Sequence, residues 1–437
     1  MQVHLVAIGT HGDVLPILAL ASALRARGHA VALAAPAPFG PLAERAGIRF
    51  HGLGSAADYE RFTAEPDLWR PWRGVAPLFT YVSSLTEPTY RWLEAGWKPG
   101  AGIVVASTLS LGARVAQERL GLPLATVHVM PFFMESRIDP PALPGLPLPR
   151  FLPPRFRHWV GLGADKYVIG PAALPGLNAF RDGLGLRPVR RLRHWWNLAP
   201  RLILMFPDWF TPPQADWPEQ AVQVGFPLVD RFGDTASLDP ALTAFLDAGA
   251  PPLVFTYGSA MRQARGFFET AIALCRRMGR RGVLLAPQAD QVPDGLPPGI
   301  IHLPYAPLSR LLPRAAALIH HGGVGTVAQA LAAGVPQLIV PVAFDHFDEA
   351  ARVRRLGLGT TLSQRGFTPA RAERHLRRLL ASPSVARALA EAKARMQAED
   401  GIAGACAAIE RMAAEASEPA PAPAPTPAPA PVPTPAR

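Results

Sequence analysis

The chain has 437 residues, which is long enough for two or three domains with apolar cores. Its two cysteines, Cys275 and Cys406, are too few for a disulfide framework or a CxxC metal cluster, so we expect a reducing, cytoplasmic compartment. The net charge of +11 comes with scattered arginines but no RNA-binding, zinc-finger or helix-turn-helix pattern, which argues against a nucleic-acid partner. No apolar run reaches the roughly 18 residues of a membrane span, and no secretory signal precedes the first strand-like segment. Weak peripheral contact with the inner face of the cytoplasmic membrane stays open, as does the oligomeric state.

The N-terminal half alternates short apolar segments with helical patterns from its first residues. A strand over 3–8 leads through the loop 9–13 to a helix over 17–27, which Pro16 opens and Gly28 ends. Further elements are predicted as strands at 30–34, 48–50, 103–106 and 124–128 and as a helix at 111–119. This alternation predicts a parallel sheet covered by helices on both faces.

A second alternating series begins after residues 130–217, a stretch rich in proline, arginine and tryptophan. Its predicted elements are strands at 253–256, 283–286, 300–303, 317–320 and 337–340, a helix near 267–278, and a helix that follows the turn 321–326 and ends at Gly334. The two series predict an α/β protein with two doubly wound, Rossmann-like parallel-sheet domains that face each other across a cleft.

The domain limits follow from these series. We predict an N-terminal domain over 1–215 and a C-terminal domain over 216–416, whose last helix is able to pack back on the N-terminal domain. The Ala-Pro repeats of 417–437 cannot form a core and predict a disordered, extended tail.

The strongest local signal is the segment 320–326, which reads His-His-Gly-Gly-Val-Gly-Thr between a strand and a helix. Glycines let the backbone approach a ligand closely, and the free N–H groups and dipole of a helix N-terminus attract phosphate. The segment fits neither the P-loop nor the GxGxxG pattern. An anion site is the interpretation we adopt, and a strand-to-helix turn without a ligand is the alternative.

Together with Tyr305-Ala306-Pro307, Gly334-Val335-Pro336 and Phe344-Asp345-His346, this segment resembles the donor-binding signature of inverting glycosyltransferases of the UDP-glycosyltransferase type, glycosyltransferase family 1. The resemblance implies the GT-B fold, in which two Rossmann-like domains hold the active site between them. It implies that the N-terminal domain binds the acceptor and the C-terminal domain the nucleotide-sugar.

Within this family the chain is most similar to the rhamnosyltransferases that form rhamnolipids. That similarity implies L-rhamnose transfer from dTDP-L-rhamnose to a lipid-like acceptor, a 3-(3-hydroxyalkanoyloxy)alkanoic acid. The alternatives are a UDP-hexose donor with another apolar acceptor such as a polyketide or a sterol-like alcohol, a nucleotide-sugar epimerase, and a non-catalytic binder.

The resemblance also implies roles in donor binding for ten residues. They are Tyr305 and Ala306 at the base, Ser259, His321, Gly323, Gly325 and Thr326 at the pyrophosphate, Gln329 at the ribose, and Asp345 and His346 at the sugar hydroxyls. Gln329 stands where many UDP-sugar enzymes carry a glutamate, which favours a deoxyribose nucleotide such as dTDP. His346 replaces the family's glutamine and Glu349 replaces its asparagine. The sequence therefore indicates the fold more firmly than it indicates the donor sugar. The alternative for Asp345 and Asp348 is charge compensation at a helix N-terminus.

Two residues of the first loop, His11 and Asp13, are candidates for the base that an attacking alcohol needs. In the resembling family the base lies three residues before the proline of the first helix, and Pro16 then indicates Asp13. His11 is the rival because an unperturbed histidine has a pKa of about 6.5, although the segment 107–110 offers no carboxylate to orient it. A purely structural loop is the third possibility. No DxD sequence occurs, so we predict a metal-independent reaction without a cofactor.

Aromatic residues are concentrated in the N-terminal half. All nine tryptophans fall between Trp69 and Trp217. Because aromatic side chains bury large apolar areas, this half is predicted to contain an apolar acceptor tunnel. Ordinary core packing is the alternative for any single aromatic residue.

Overall fold

A computed structural model describes residues 1–98, 100, 102–146, 148–149, 151–230, 237–258 and 261–417. Two parallel sheets carry the fold, and helices cover both faces of each. The predicted architecture of two doubly wound domains is confirmed. Ser259 and the predicted Ala-Pro tail beyond 417 lie outside the described residues.

The first sheet consists of seven parallel strands. They are β1 (Gln2–Val6), β2 (Ala30–Pro36), β3 (Arg49–Leu53), β4 (Gly102–Ser107), β5 (Leu124–His128), β6 (Arg201–Leu204) and β7 (Ala221–Gln223). Their spatial order is β3-β2-β1-β4-β5-β6-β7. The strand order reverses between β1 and β4, which is the place where open parallel sheets bind ligands.

Nine helices accompany this sheet in the described part of the chain. They are α1 (His11–Ala26), α2 (Gly40–Arg45), α3 (Ala56–Ala64), α4 (Val75–Ser84), α5 (Thr86–Gly96), α6 (Leu111–Leu120), α7 (Pro154–Ala164), α8 (Gly170–Gly183) and α9 (Leu192–Trp196), with a π-helical turn at Asp165–Ile169 and 3-10 turns at Ala37–Phe39 and Pro131–Phe133. The prediction that Pro16 opens the first helix is wrong. The helix begins at His11, because the Asp13 carboxylate accepts the Thr10 backbone N–H at 2.9 Å and thereby satisfies a donor that precedes the first turn.

The second sheet consists of six parallel strands. They are β8 (Leu253–Thr256), β9 (Gly282–Leu285), β10 (Ile300–Leu303), β11 (Ala317–His320), β12 (Gln337–Ile339) and β13 (Gly359–Thr361). The order is β10-β9-β8-β11-β12-β13. Sequence reasoning missed β13, because its three half-exposed edge residues carry no apolar run.

The helices of this second unit begin beyond residue 239. They are α10 (Pro240–Asp247), α11 (Arg265–Met278), α12 (Leu308–Leu311), α13 (Val324–Ala333), α14 (His346–Arg355), α15 (Pro369–Leu380), α16 (Pro383–Ala398) and α17 (Gly401–Ser417), with 3-10 turns at Ala289–Gln291, Leu312–Arg314 and Gln364–Gly366. None of the described helices is long and apolar enough to cross a membrane.

The chain crosses between the two sheets twice. β7 pairs with β6 through Leu202 and Ala221, so the first sheet extends beyond the limit predicted at residue 215. The prediction failed there because β7 is short and only half-buried. At the other end, α17 packs against α1, β4 and β6, and Glu410 on α17 pairs with Arg27 at 2.7 Å. The C-terminal helix thus completes the cover of the N-terminal sheet.

Candidate active site

A deep cleft lies between the carboxyl ends of the two sheets. It encloses about 2450 Å³, solvent at its mouth included. The loops after β1, β8 and β11 all contribute to its walls, through the segment 9–13, Gly258 and the segment 323–326. This is the position at which open parallel sheets bind ligands.

The structure gathers the residues predicted from the sequence around this one cleft. The described members that line it are His11, Asp13, Tyr305, Ala306, His321, Gly323, Gly325, Thr326, Gln329, Asp345 and His346. Their individual roles stay predictions, and so does that of Ser259, which is not among the described residues although its neighbour Gly258 is part of the wall.

The glycine-rich turn before α13 brings backbone to the cleft surface. Gly322 has φ +104°, a conformation that other residues rarely adopt. A β-carbon on Gly323 would lie 2.6 Å from Nε2 of His321, so only glycine fits beside that ring. Gly325 faces open space, and no side chain caps the first turn of α13. The turn therefore offers free N–H groups and the positive end of a helix dipole to an anion.

The histidines beside this turn are neutral. Burial lowers the pKa of His321 well below its usual value and that of His346 to about 3, and the two rings meet edge to face at 4.8 Å. His320 receives the Gly322 N–H on Nδ1 at 3.2 Å and so fixes the turn. Because the rings of His321 and His346 carry no charge at neutral pH, the positive potential that this turn offers to an anion comes from its backbone N–H groups and the helix dipole.

The predicted nucleotide end of the cleft is open at Tyr305. Its side chain is 53% exposed, and its hydroxyl donates to the carbonyl of Asp230 at 2.8 Å, which fixes the ring at the cleft wall. Gln329 on α13 is buried, and its Nε2 has no hydrogen-bond partner within the described residues. An unsatisfied buried amide is costly unless a ligand completes it.

Two carboxyl groups from opposite sheets share the centre of the cleft. Burial raises the pKa of Asp13 to about 6. Burial, followed by the charges of Asp13 and Asp348, raises the pKa of Asp345 to about 8. At pH 7 Asp13 is therefore mainly ionised and Asp345 mainly protonated. Separated pKa values of this kind allow one carboxyl to accept a proton while the other donates a hydrogen bond.

His11, the rival base, lies in a different environment. Its ring packs edge to face on Phe39 at 5.0 Å, and its Nδ1 has no partner in the described part of the chain. Burial lowers its pKa. The segment 107–110 after β4 contains no carboxylate that could orient His11, and its Ser107 and Ser110 hydroxyls are hydrogen-bonded to each other at 2.9 Å. The geometry leaves both candidates at the cleft, but among the described residues Nδ1 of His11 finds no partner that would fix its tautomer.

The beginning of α14 holds a second group of acids. Asp348 accepts the backbone N–H of Ala142 and the Nε of Arg352, both at 2.8 Å. It thus joins α14 to the long loop of the N-terminal half. Glu349 is completely buried, and neither of its oxygens has a partner within the described residues. Burial and the neighbouring Asp348 raise the pKa of Glu349 well above its usual value, which favours its neutral form.

The N-terminal wall of the cleft is apolar. Its members include Phe62, Phe79, Met130, Phe132, Phe133 and Trp196. Three of the nine tryptophans, Trp69, Trp72 and Trp196, reach the wall. Trp92 and Trp97 instead pack around His4 on the far side of β1.

Sequence reasoning missed the loop 65–74 and its contact with the donor side. Trp69 stacks on His346 at 6.1 Å and meets Phe344 edge to face at 5.9 Å. Trp72 and Phe344 both have positive φ, which is strained for aromatic residues. No local pattern in the sequence predicts the positive φ of either residue, although Phe344 belongs to the motif Phe344-Asp345-His346.

Arg193 on α9 was also missed as a cleft residue. It lies in the arginine-rich segment 187–193, where sequence gives no sign that one member is buried. Within the described residues, no group of three histidine, cysteine, aspartate or glutamate side chains is placed to hold a metal ion.

Comparison with known proteins identifies the family. Residues 3–138 match the glycosyltransferase family 28 N-terminal domain, and residues 283–421 match the C-terminal domain of erythromycin biosynthesis protein CIII-like proteins. The chain is 32% identical to O-mycaminosyltylonolide 6-deoxyallosyltransferase of Streptomyces fradiae, over 94% of this chain and 98% of that protein. It is 30% identical to vancomycin aglycone glucosyltransferase of Amycolatopsis orientalis, over 82% and 85% of the two chains.

Solved structures show the same fold. The glycosyltransferase of kitacinnamycin superposes with a TM-score of 0.74 at 21% identity, over 94% of this chain and 98% of that one. Spinosyn rhamnosyltransferase complexed with thymidine diphosphate superposes with a TM-score of 0.65 at 19% identity, over 94% and 100%. The chain belongs to the GT-B glycosyltransferases that combine a family 28 N-terminal domain with an erythromycin CIII-like C-terminal domain, and it is a glycosyltransferase that uses a nucleotide-sugar donor.

Proposed function

We propose that this enzyme transfers L-rhamnose from dTDP-L-rhamnose to the hydroxyl of a 3-(3-hydroxyalkanoyloxy)alkanoic acid and so forms a mono-rhamnolipid. The observation that carries the proposal is the composition of the cleft. Its C-terminal side presents a glycine-rich helix N-terminus and buried polar groups, and its N-terminal side presents aromatic and aliphatic walls that suit acyl chains. The N-terminal domain would thus bind the acceptor and the C-terminal domain the donor.

The donor assignment has support from the relatives and from three residues of this chain. The Streptomyces fradiae relative is named as a 6-deoxyallosyltransferase, and 6-deoxyallose is a 6-deoxyhexose like rhamnose. The spinosyn enzyme is named as a rhamnosyltransferase complexed with thymidine diphosphate. In this chain, the neutral Gln329 amide in place of a glutamate favours a nucleotide that lacks the 2′-hydroxyl. Asp345, protonated at pH 7, is suited to donate a hydrogen bond to a sugar hydroxyl, and His346 beside it is neutral.

The chemistry follows from the two carboxyl groups. Ionised Asp13 accepts the proton of the acceptor hydroxyl as its oxygen attacks the anomeric carbon. The bond from that carbon to the diphosphate oxygen breaks, and the N–H groups at the start of α13 stabilise the negative charge of the leaving dTDP. A single displacement of this kind inverts the anomeric centre. His11 is the alternative acceptor of the proton.

A second candidate is the same fold with a UDP-hexose donor and a polyketide or sterol-like alcohol as acceptor. Its support lies in the relatives, which include the vancomycin aglycone enzyme and a sterol 3-beta-glucosyltransferase of Arabidopsis thaliana at 24% identity. Epimerisation of the donor and silent binding are weaker alternatives. An epimerase would convert the donor in the absence of any acceptor.

The test is mass spectrometry of reactions that contain purified protein, a hydroxyalkanoyloxy-alkanoate and EDTA, with dTDP-rhamnose and UDP-glucose in parallel. We expect a deoxyhexose adduct from dTDP-rhamnose and none from UDP-glucose. A hexose adduct would contradict the donor assignment, and no adduct with either donor would contradict the acceptor. Turnover that disappears in EDTA would contradict metal independence.

The proposal includes peripheral contact at the cytoplasmic face of the membrane, through α7 and its flanks. No side chain of α7 is buried. Phe151 is 86%, Trp159 69% and Tyr167 71% exposed. Arg155 and Lys166 are exposed among them, whereas the one acid of residues 151–167, Asp165, is buried. Exposed aromatic residues with uncompensated positive charge suit an anionic bilayer surface.

Ala164 and Ile169 continue this surface into the cleft wall, which would give an amphiphilic acceptor a short path from the membrane to the cleft.

A further inference from the structure

The apolar end of the cleft contains one buried cation. Among the described residues that line the cleft, Arg193 is the only arginine or lysine. It is 5% exposed, and its guanidinium carbon lies 5.2 Å from the centre of the Phe132 ring, which is itself part of the cleft wall. Trp196 on the same helix lines the cleft beside it, as do Ala164 and Ile169. Arg193 also borders a smaller pocket that it shares with Glu135, His158 and Asp165. A permanent positive charge thus lies at the apolar wall of the cleft.

The protein itself compensates this charge incompletely. The Nε of Arg193 lies 3.5 Å from Oδ1 of Asp165, too far for a good hydrogen bond, and it has no hydrogen-bond partner within the described residues. Asp165 is shared with Arg191 at 3.4 Å, and Arg191 also bonds Glu135 at 2.6 Å. Arg191 thus pairs with two carboxylates, Glu135 and Asp165, whereas Arg193 shares the single carboxylate of Asp165 with Arg191. A buried guanidinium whose Nε has no hydrogen bond is costly unless a ligand supplies an acceptor.

We propose that Arg193 binds the carboxylate of the acceptor, so that this enzyme selects apolar acids over neutral lipids of the same length. A carboxylate matches the planar fork of a guanidinium with two parallel hydrogen bonds, which an ester cannot reproduce. The aromatic walls take the acyl chains, Arg193 takes the acid end, and the hydroxyl is directed towards the loop of His11 and Asp13. The inference rests on the proposed function only in the identity of the acceptor, because the site itself requires no more than an amphiphilic anion.

The test is a binding measurement on the full chain. Isothermal titration calorimetry would compare 3-hydroxydecanoate with its methyl ester, below the micelle concentration, on the wild type and three variants. We expect the wild type to bind the acid about tenfold or more tighter than the ester. Arg193→Gln should abolish that preference by weakening acid binding and leaving ester binding unchanged. Arg193→Lys, which keeps a charge without the fork, should retain part of it.

Arg191→Gln is the matched control, since it removes the other cation that contacts Asp165 but lies outside the cleft lining. It should keep the preference for the acid. Equal binding of acid and ester by the wild type, or an unchanged preference in Arg193→Gln, would overturn the inference. If Arg193→Gln does not fold, as judged by its thermal unfolding, the ratios for the wild type and Arg193→Lys decide.

Turnover separates this inference from the proposed function. Selective binding of the acid without rhamnose transfer to any hydroxyalkanoyloxy-alkanoate contradicts the proposed function and supports the site. Rhamnose transfer with equal kcat/KM for the acid and its methyl ester supports the proposed function and overturns the role of Arg193.

Discussion

The two sides of the cleft are built in different ways. The C-terminal side consists of short contiguous segments at the ends of strands, such as the turn 320–326 and the pair Asp345 and His346, in which each polar group has a defined position. The N-terminal side is assembled from aromatic residues spread between Phe62 and Trp196, with Arg193 as its buried cation. A diphosphate and a sugar require fixed hydrogen bonds, whereas acyl chains require only volume and apolar surface. We infer that the donor is selected by local motifs and the acceptor by the packing of distant segments.

The largest effect should come from Asp13, where the two sides meet. In Asp13→Asn the side-chain oxygen can still accept the Thr10 N–H and preserve the start of α1, but it cannot take a proton. We expect kcat to fall about a hundredfold to ten-thousandfold, with the Kd for dTDP unchanged. His11→Gln is the comparison and should lose much less. Steady-state kinetics and calorimetry of the two variants decide, and near-normal turnover in Asp13→Asn would move the base to His11.

On the donor side, Gly323→Ala should weaken dTDP binding about tenfold. The added β-carbon would lie 2.6 Å from Nε2 of His321 and would displace either that ring or the turn. Gly266→Ala is the control, since a β-carbon at that position of α11 has no atom within 4 Å. Calorimetric titration with dTDP measures the affinity of both variants. Equal affinity in the two variants would mean that the turn does not hold the diphosphate.

On the acceptor side, the double variant Phe156→Ser and Trp159→Ser should reduce binding to vesicles rich in phosphatidylglycerol about tenfold, because two exposed aromatic side chains would no longer enter the bilayer interface. Cosedimentation measures the bound fraction. Leu198→Ser, which removes an exposed apolar side chain elsewhere, should have no effect. Equal binding to neutral and anionic vesicles would contradict the role of Arg155 and Lys166.

The pH dependence should reveal the two carboxyl groups separately. Asp13, which faces Tyr59 and Asp345, must be ionised, so kcat/KM should rise as pH increases through about 6. Asp345 must keep its proton, so kcat/KM should fall above about pH 8. Asp345→Asn, which cannot ionise, should lose only the alkaline limb at a cost of a few fold in rate. Persistence of that limb in the variant would assign it to another group.

The smallest effect should come from Gln329. Gln329→Glu would present a carboxylate to the ribose and should improve UDP binding relative to dTDP by about threefold, since one hydrogen bond to a charged group is gained. Competition titration with the two nucleotides measures the ratio. An unchanged ratio would show that the base and the sugar, rather than the ribose, determine the donor.

The sequence predicted the C-terminal side of the cleft better than the N-terminal side. Local motifs build the first, whereas contacts between distant segments build the second. The strand at 317–320 and the helix ended by Gly334 follow from local apolar periodicity and glycine stops, and the structure has them at those places. β7 could not be predicted, because it is a short edge strand whose partner, β6, lies in the proline-, arginine- and tryptophan-rich stretch 130–217. The stacking of Trp69 on His346 and the burial of Arg193 depend on contacts between distant segments, which neither periodicity nor spacing records.

The most direct test of the account is the anomeric configuration of the product, determined by proton NMR of the rhamnosylated acid formed from dTDP-rhamnose. A single displacement, in which Asp13 activates the acceptor on one face while the diphosphate leaves from the other, predicts a configuration opposite to that of the donor. A product with the donor's configuration would require two displacements or a front-face attack. That result would contradict the division of labour between the two sides of the cleft.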